Sequence, residues 1–125
     1  MPSTPDELAI EALARRSIEV LPAGEWPSLY EDFTPEFQQR CPRQEFIDGG
    51  ARSASELGAN LPLLAYKRLE QVSVTGETAT AVIVGEIRGQ SEYSIQAAFQ
   101  RVDGVWKLAP EASTEGCAAF AQISG

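Results

Sequence analysis

The spacing of apolar residues changes once along this chain, near Leu61, and that switch limits the fold more than any other feature. Before it, Ile10, Leu13, Ala14, Ile18 and Leu21 recur every three or four residues, the stripe of an amphipathic helix. After it, the period falls to two and β-branched residues become frequent, as in half-buried strands. A chain of 125 residues has room for one core, and the helices can bury their stripes only against the apolar face of the sheet. The expected fold is α+β: N-terminal helices packed on a strongly curved antiparallel sheet, one domain over residues 1–125.

The start of the first helix is written in its cap. Thr4-Pro5-Asp6-Glu7 supplies a capping hydroxyl, proline at the first helical position and glutamate three residues after the cap. A helix is expected from Pro5 to Leu21, stopped by Pro22 and Gly24, with Glu7, Glu11, Arg15 and Glu19 on its solvated face. Thr34-Pro35 and Cys41-Pro42 read as further starts, giving short helices among Trp26, Leu29, Tyr30, Phe33, Phe37 and Phe46. A longer helix is expected from Pro42 to near Leu57, with Phe46, Ile47, Ala51, Ala54 and Leu57 inward and Gly58 as its stop.

Strands are expected at Leu63 to Val74, Thr78 to Arg88, Ser91 to Val102 and Val105 to Ala109, and the short turns between them force a meander of hairpins. A two-residue loop at Asp103-Gly104 sets Val102 opposite Val105, Arg101 opposite Trp106 and Phe99 opposite Leu108. A two-residue loop at Gly89-Gln90 sets Glu86 opposite Tyr93 and Val84 opposite Ile95. Pairing Thr75 with Thr78 then places Lys67 opposite Glu86. In this register one face carries Leu63, Ala65, Lys67, Leu69, Val82, Val84, Glu86, Tyr93, Ile95, Ala97, Phe99, Arg101, Trp106 and Leu108, and the helices dock there. Lys67, Glu86 and Tyr93 form a polar cluster within it. Such a cluster orients a ligand or tunes a carboxylate as a base; the alternative is a salt bridge at the rim, with Arg101 resting on Trp106.

Composition removes several chemistries. Eighteen acidic against ten basic side chains leave a net charge of -8, which repels phosphate backbones and anionic lipid, so no nucleic-acid partner is expected. No apolar run approaches the roughly 20 residues of a membrane span, and MPSTPDEL lacks the pattern of a signal peptide. Histidine is absent, which removes His-dependent triads, His-ligated zinc and the usual proton shuttle. No GxxxxGK[ST] or GxGxxG occurs, and Cys41 and Cys117 stand too far apart for a CxxC pair. Neither a cofactor nor a metal is expected.

The order of helices followed by a bent sheet, together with WPSLYEDFTPEF at Trp26 to Phe37 and F-x-R-x-D-G-x-W-K-L at Phe99 to Leu108, resembles the nuclear transport factor 2-like (NTF2-like, cystatin-like cone) superfamily. The closing motif is similar to that of small bacterial members of the DUF4878 and lumazine-binding-like groups. The resemblance implies an apolar pocket between helices and sheet, in a superfamily that includes isomerases, cyclases, hydrolases, dehydratases and noncatalytic binding or dimerising modules. Site residues transfer poorly: Tyr30 sits at a place comparable to the helix tyrosine of the isomerases, but only Glu86 offers an inward acid, and the His-containing pockets have no counterpart.

Two functions follow as expectations. One is a noncatalytic module that binds a small lipophilic molecule in a cup lined by Trp26, Tyr30, Phe33, Tyr93, Phe99 and Trp106, with Lys67, Glu86 and Arg101 as its polar groups. The alternative is a small enzyme for a lipophilic substrate, with Glu86 as base and Tyr30 or Tyr93 as donor to an oxyanion. A homodimer through the exposed sheet face fits either. Cys41 and Cys117 are read two ways: a disulfide spanning about 75 residues in an exported protein whose signal segment has been removed, or two buried thiols in a cytoplasmic one.

Overall fold

Helix α1 spans Pro5–Ala23 and begins as its cap demands: Thr4 Oγ1 accepts from the Glu7 amide at 3.1 Å, and the Glu7 carboxylate accepts from the Thr4 amide at 3.0 Å. The computed structural model describes residues 4–109, and within them the helix buries Ile10, Leu13, Ala14, Ile18, Val20 and Leu21. Pro22 falls inside the last turn and does not end the helix; Gly24 does, at φ 73°.

Three short pieces follow: α2 (Trp26–Leu29), a 3₁₀ turn (Tyr30–Asp32) and α3 (Pro35–Arg40), the last capped by Thr34. They bring Phe33, Phe37 and Phe46 into one aromatic stack, with Phe33 lying 4.3 Å from Phe37 and meeting the edge of Phe46 at 5.4 Å. Helix α4 (Arg43–Leu57) is capped at Pro42, one position later than expected, and its inward stripe differs from the expected one. Phe46, Gly49, Gly50 and Ser53 are buried, whereas Ala51 is exposed and Ile47, Ala54 and Leu57 are half-buried. The glycines carry the contact because the Trp26 indole occupies the space a Cβ at Gly50 would need, only 2.1 Å from its ring. A second 3₁₀ turn (Gly58–Leu63) leads into the sheet.

The sheet is an antiparallel meander in the order β1 (Leu64–Thr75), β2 (Thr78–Ile87), β3 (Ser91–Val102) and β4 (Val105–Leu108). The β3–β4 register is the expected one, with Phe99, Arg101 and Val102 opposite Leu108, Trp106 and Val105. The β2–β3 register is not. The connection holds three residues, Arg88 to Gln90, so Ile87 pairs with Ser91, Gly85 with Tyr93 and Glu86 with Glu92. A slip of one residue turns every side chain of β2 over: Ala79, Ala81, Ile83, Gly85 and Ile87 share the face of Tyr93, Ile95, Ala97 and Phe99, while Val82, Val84 and Glu86 lie on the other.

Strand β1 does begin from Thr75 opposite Thr78, but two bulges, between Tyr66 and Arg68 and between Glu70 and Ser73, shift it by two residues in all. Gln71, in the second bulge, takes φ 53°. Ala65 therefore stands opposite Glu86, and Tyr66 opposite Gly85. The helices cover the face carrying Ala79, Ala81, Ile83, Phe99, Trp106 and Leu108, called the inner face below. Helix α1 packs against β1 and β4. The Thr34 amide donates to the Leu108 carbonyl at 3.0 Å, and Phe33 bridges Leu108, fastening the aromatic turn to the β4 edge.

Candidate functional site on the inner face of the sheet

The inner face is not evenly covered. At the β3–β4 end it is sealed: Ala79, Phe99, Trp106 and Leu108 are buried beneath α1 and the Phe33 turn. Toward the β2–β3 turn the apolar side chains Leu57, Leu61, Tyr66, Leu69, Ile87, Tyr93, Ile95 and Ala97 pack against the core yet remain half-buried. In register, Tyr66, Gly85 and Tyr93 make one row across three strands, and Leu69, Ile83 and Ile95 make the next.

Two phenols flank that row and have different surroundings. Tyr66 is held by α1: its hydroxyl donates to Glu11 Oε2 at 3.3 Å, and the Arg15 guanidinium lies 4.9 Å over its ring. Burial and the neighbouring Glu11 carboxylate push the Tyr66 phenol up to about 12. Tyr93 rests on Gly85; a Cβ there would lie 2.6 Å from both Cζ and the hydroxyl oxygen. Its hydroxyl is buried and has no hydrogen-bond partner among the described residues, and burial raises its pKa.

Most of the residues expected to line a pocket are placed elsewhere. Lys67 and Glu86 are on the outer face, where Lys67 binds Glu92 and lies 3.6 Å from Glu86, while Arg68 bridges Glu70 and Glu92. The Glu92 hydrogen bond raises the Lys67 pKa, and the Lys67 ammonium lowers that of Glu92. The sidedness expected of Lys67 and Glu86 fails because the extra turn residue inverts β2 and the first bulge throws Lys67 outward. Glu86 is thus separated by the sheet from the tyrosine it was expected to join.

Tyr30 is buried, and its hydroxyl donates to the backbone carbonyls of Cys41 at 2.7 Å and Gln38 at 3.0 Å, so its proton is committed to closing the end of α3. Trp26 donates from its indole to the Ile47 carbonyl at 3.2 Å. Phe33, Phe99 and Trp106 are core residues. Arg101 does lie over the Trp106 ring, at 5.4 Å, and it also grips Glu77 through two hydrogen bonds of 2.9 and 3.0 Å. Asp6 Oδ1 accepts from both the Trp106 indole at 3.0 Å and Arg101 at 3.3 Å. This clasp joins the first turn of α1 to β4 and holds Glu77 below the usual carboxylate range through Arg101.

Of the expected set, Tyr93 alone combines an inner-face position with an uncommitted hydroxyl. Tyr66, Leu61 and Glu11 were not anticipated here, and Leu57 and Leu69 were expected to point inward but not as part of a site; Glu11 was read as solvated, yet it is half-buried and accepts from Tyr66. Cys117, the other half of the candidate disulfide, lies outside the described residues, and Cys41 is fully buried. Among the described residues no group of His, Cys, Asp or Glu is placed to hold a metal ion, and no helix is long and apolar enough to cross a membrane.

No family model matches the chain, and no curated protein matches it by sequence. Among solved structures it is similar to a Campylobacter jejuni protein assigned as an NTF2-like transpeptidase, at a TM-score of 0.60 and 15% identity, over 87% of this chain and 100% of that one. The identity is too low to carry function across; a shared fold is what the match establishes. The chain has the fold of the NTF2-like superfamily.

Proposed function

We propose that the protein is a binding module that holds a small lipophilic molecule on the inner face of its sheet, at the end near the β2–β3 turn. The fold suggests a ligand-binding or enzymatic module in general terms. The observation that carries the narrower reading is the patch around Tyr93, where half-buried Leu69 and Ile95 share the sheet face of a buried hydroxyl without a partner among the described residues, and half-buried Leu57 and Leu61 pack against the same core. Apolar lining with one convergent polar group is the usual composition of a small-molecule site.

The register favours binding over catalysis. The acid proposed as a base, Glu86, is on the far side of the sheet beside Lys67. Two carboxylates that approach the inner face are engaged in hydrogen bonds: Glu11 accepts from Tyr66, and Asp6 accepts from Trp106 and Arg101. The outer face remains the proposed surface for a second copy of the chain.

Native mass spectrometry of the protein as purified, under conditions that preserve noncovalent complexes, tests the reading. Retention of a neutral organic molecule, released on acid unfolding and extractable into organic solvent, is the expected result. A bare polypeptide mass, joined to failure of lipophilic probes to bind in titration, would remove it.

A further inference from the structure

The hydroxyl of Tyr93 is buried against Gly85 with no partner among the described residues, an arrangement that a folded chain keeps only when something outside those residues completes it or when the ring is free to leave. We propose that Tyr93 lifts its ring off Gly85 to donate a hydrogen bond to an acceptor oxygen, such as a ketone or ester carbonyl, of a neutral apolar ligand. The inference rests on the inner-face binding reading and adds the chemical class of the ligand and the residue that recognises it.

Three features support it. The resting place of the ring exists because residue 85 is glycine: a Cβ would lie 2.6 Å from both Cζ and the hydroxyl oxygen, so the phenol occupies space that only glycine leaves open. The residue is only half-buried, and Ile95 and Ala97 on the same face of β3 are half-buried as well. The hydroxyl stays protonated, since burial pushes its pKa above the ordinary phenol value, so it meets a ligand as a donor and selects an acceptor.

Neutrality of the ligand follows from the charges around the row. Glu11 and Arg15 are both engaged with Tyr66, one as acceptor and one over the ring. Lys67, Arg68, Glu86 and Glu92 pair with one another on the opposite face. Leu69, Ile83 and Ile95 in the adjoining row are apolar. A charged ligand would be desolvated there without an opposite charge to meet it.

The test uses two probes that differ only in the acceptor: 6-propionyl-2-(dimethylamino)naphthalene, a neutral ketone whose emission responds to hydrogen bonding, and its 6-propyl counterpart. Both are titrated into the full chain and into Tyr93→Phe, with thermal melting confirming that the variant folds. The ketone should bind Tyr93→Phe about tenfold more weakly than wild type, the worth of one hydrogen bond, while the propyl compound binds both within about twofold. In NMR spectra with labelled tyrosine, the Tyr93 ring signals should move with the ketone, and in Gly85→Ala they should already be displaced without it.

Equal ketone affinity in wild type and Tyr93→Phe would overturn the inference and leave inner-face binding standing. Tyr93 signals that stay fixed both with ketone and in Gly85→Ala would overturn the ring movement. Failure of both probes to bind wild type would remove the binding reading and this inference together.

Discussion

Trp26 reaches the helical half of the core because residue 50 has no side chain: the space of a Cβ is taken by the indole, whose Nε1 donates to the Ile47 carbonyl. Gly50→Ala sets two effects against each other. Alanine gains about 1 kcal/mol of helix propensity at an interior position, whereas overpacking a filled site costs about 1–3 kcal/mol. With the new carbon 2.1 Å from the ring, the second effect should win. Urea unfolding followed by tryptophan fluorescence should show a net loss of up to about 2 kcal/mol; a gain would mean that the indole moves aside freely. From sequence the pair Gly49-Gly50 carries only a low helix propensity in α4, because propensity is a property of one residue and close approach is a property of two.

Tyr66 gives a pH prediction with a definite sign. Its phenol is held up to about 12, against the ordinary 10.0, by burial first and then by Glu11. The folded state therefore keeps a proton that the unfolded state releases, and the stabilisation is complete below about 10 and is lost as pH climbs from 10 toward 12. Denaturation midpoints measured across that window should fall more steeply in wild type than in Tyr66→Phe. Parallel curves would show that the Tyr66 phenol is not held above its ordinary value in the folded state.

At the scale of elements, the first turn of α1 is fixed twice, by its own capping box and by the Asp6 clasp to Trp106 and Arg101. Asp6→Ala should cost about 1 kcal/mol, discounted for the partial exposure of the pair. Amide exchange should quicken in the first turn of α1 and at β4 together, since the clasp is what joins them; protection lost in α1 alone would show that the helix start is independent.

The capping box could be read in Thr4-Pro5-Asp6-Glu7 because it is local. The β3–β4 pairing was legible too, since Asp103-Gly104 closes a two-residue turn with Asp103 at φ 52°. The β2–β3 turn was not. Gly89 is compatible with either loop length, and only the docking of Ala79, Ala81 and Ile83 beneath the helices selects three residues. The bulges in β1 leave no single-residue signal, so the error passed to Lys67, Glu86 and the whole polar cluster expected around them.

For the molecule as a whole, the strands and helices were placed to within a few residues from period, caps and turn signals, and so was the α+β class. The site was harder, because which side chains share a face depends on register, and register depends on one turn residue and two bulges. Beyond the described residues, we propose a Cys41–Cys117 disulfide, the closure of a long loop that stabilises chiefly by restricting the unfolded chain. Thiol titration in guanidinium without reductant should find no free thiol, and two with reductant; two without reductant would rule the bond out.

The central claim is that the inner face, near Tyr93, is where this protein receives a small apolar molecule, and amide chemical-shift mapping tests it most directly. Titrating the ¹⁵N-labelled protein with the naphthalene ketone should move the amides of Leu57, Leu61, Tyr66, Leu69, Gly85 and Tyr93 together with one saturating affinity, and should leave Thr4 to Leu8 and the β3–β4 turn in place. Saturating shifts centred on the first turn of α1 or on Asp103-Gly104, with the Tyr93 row unmoved, would contradict it.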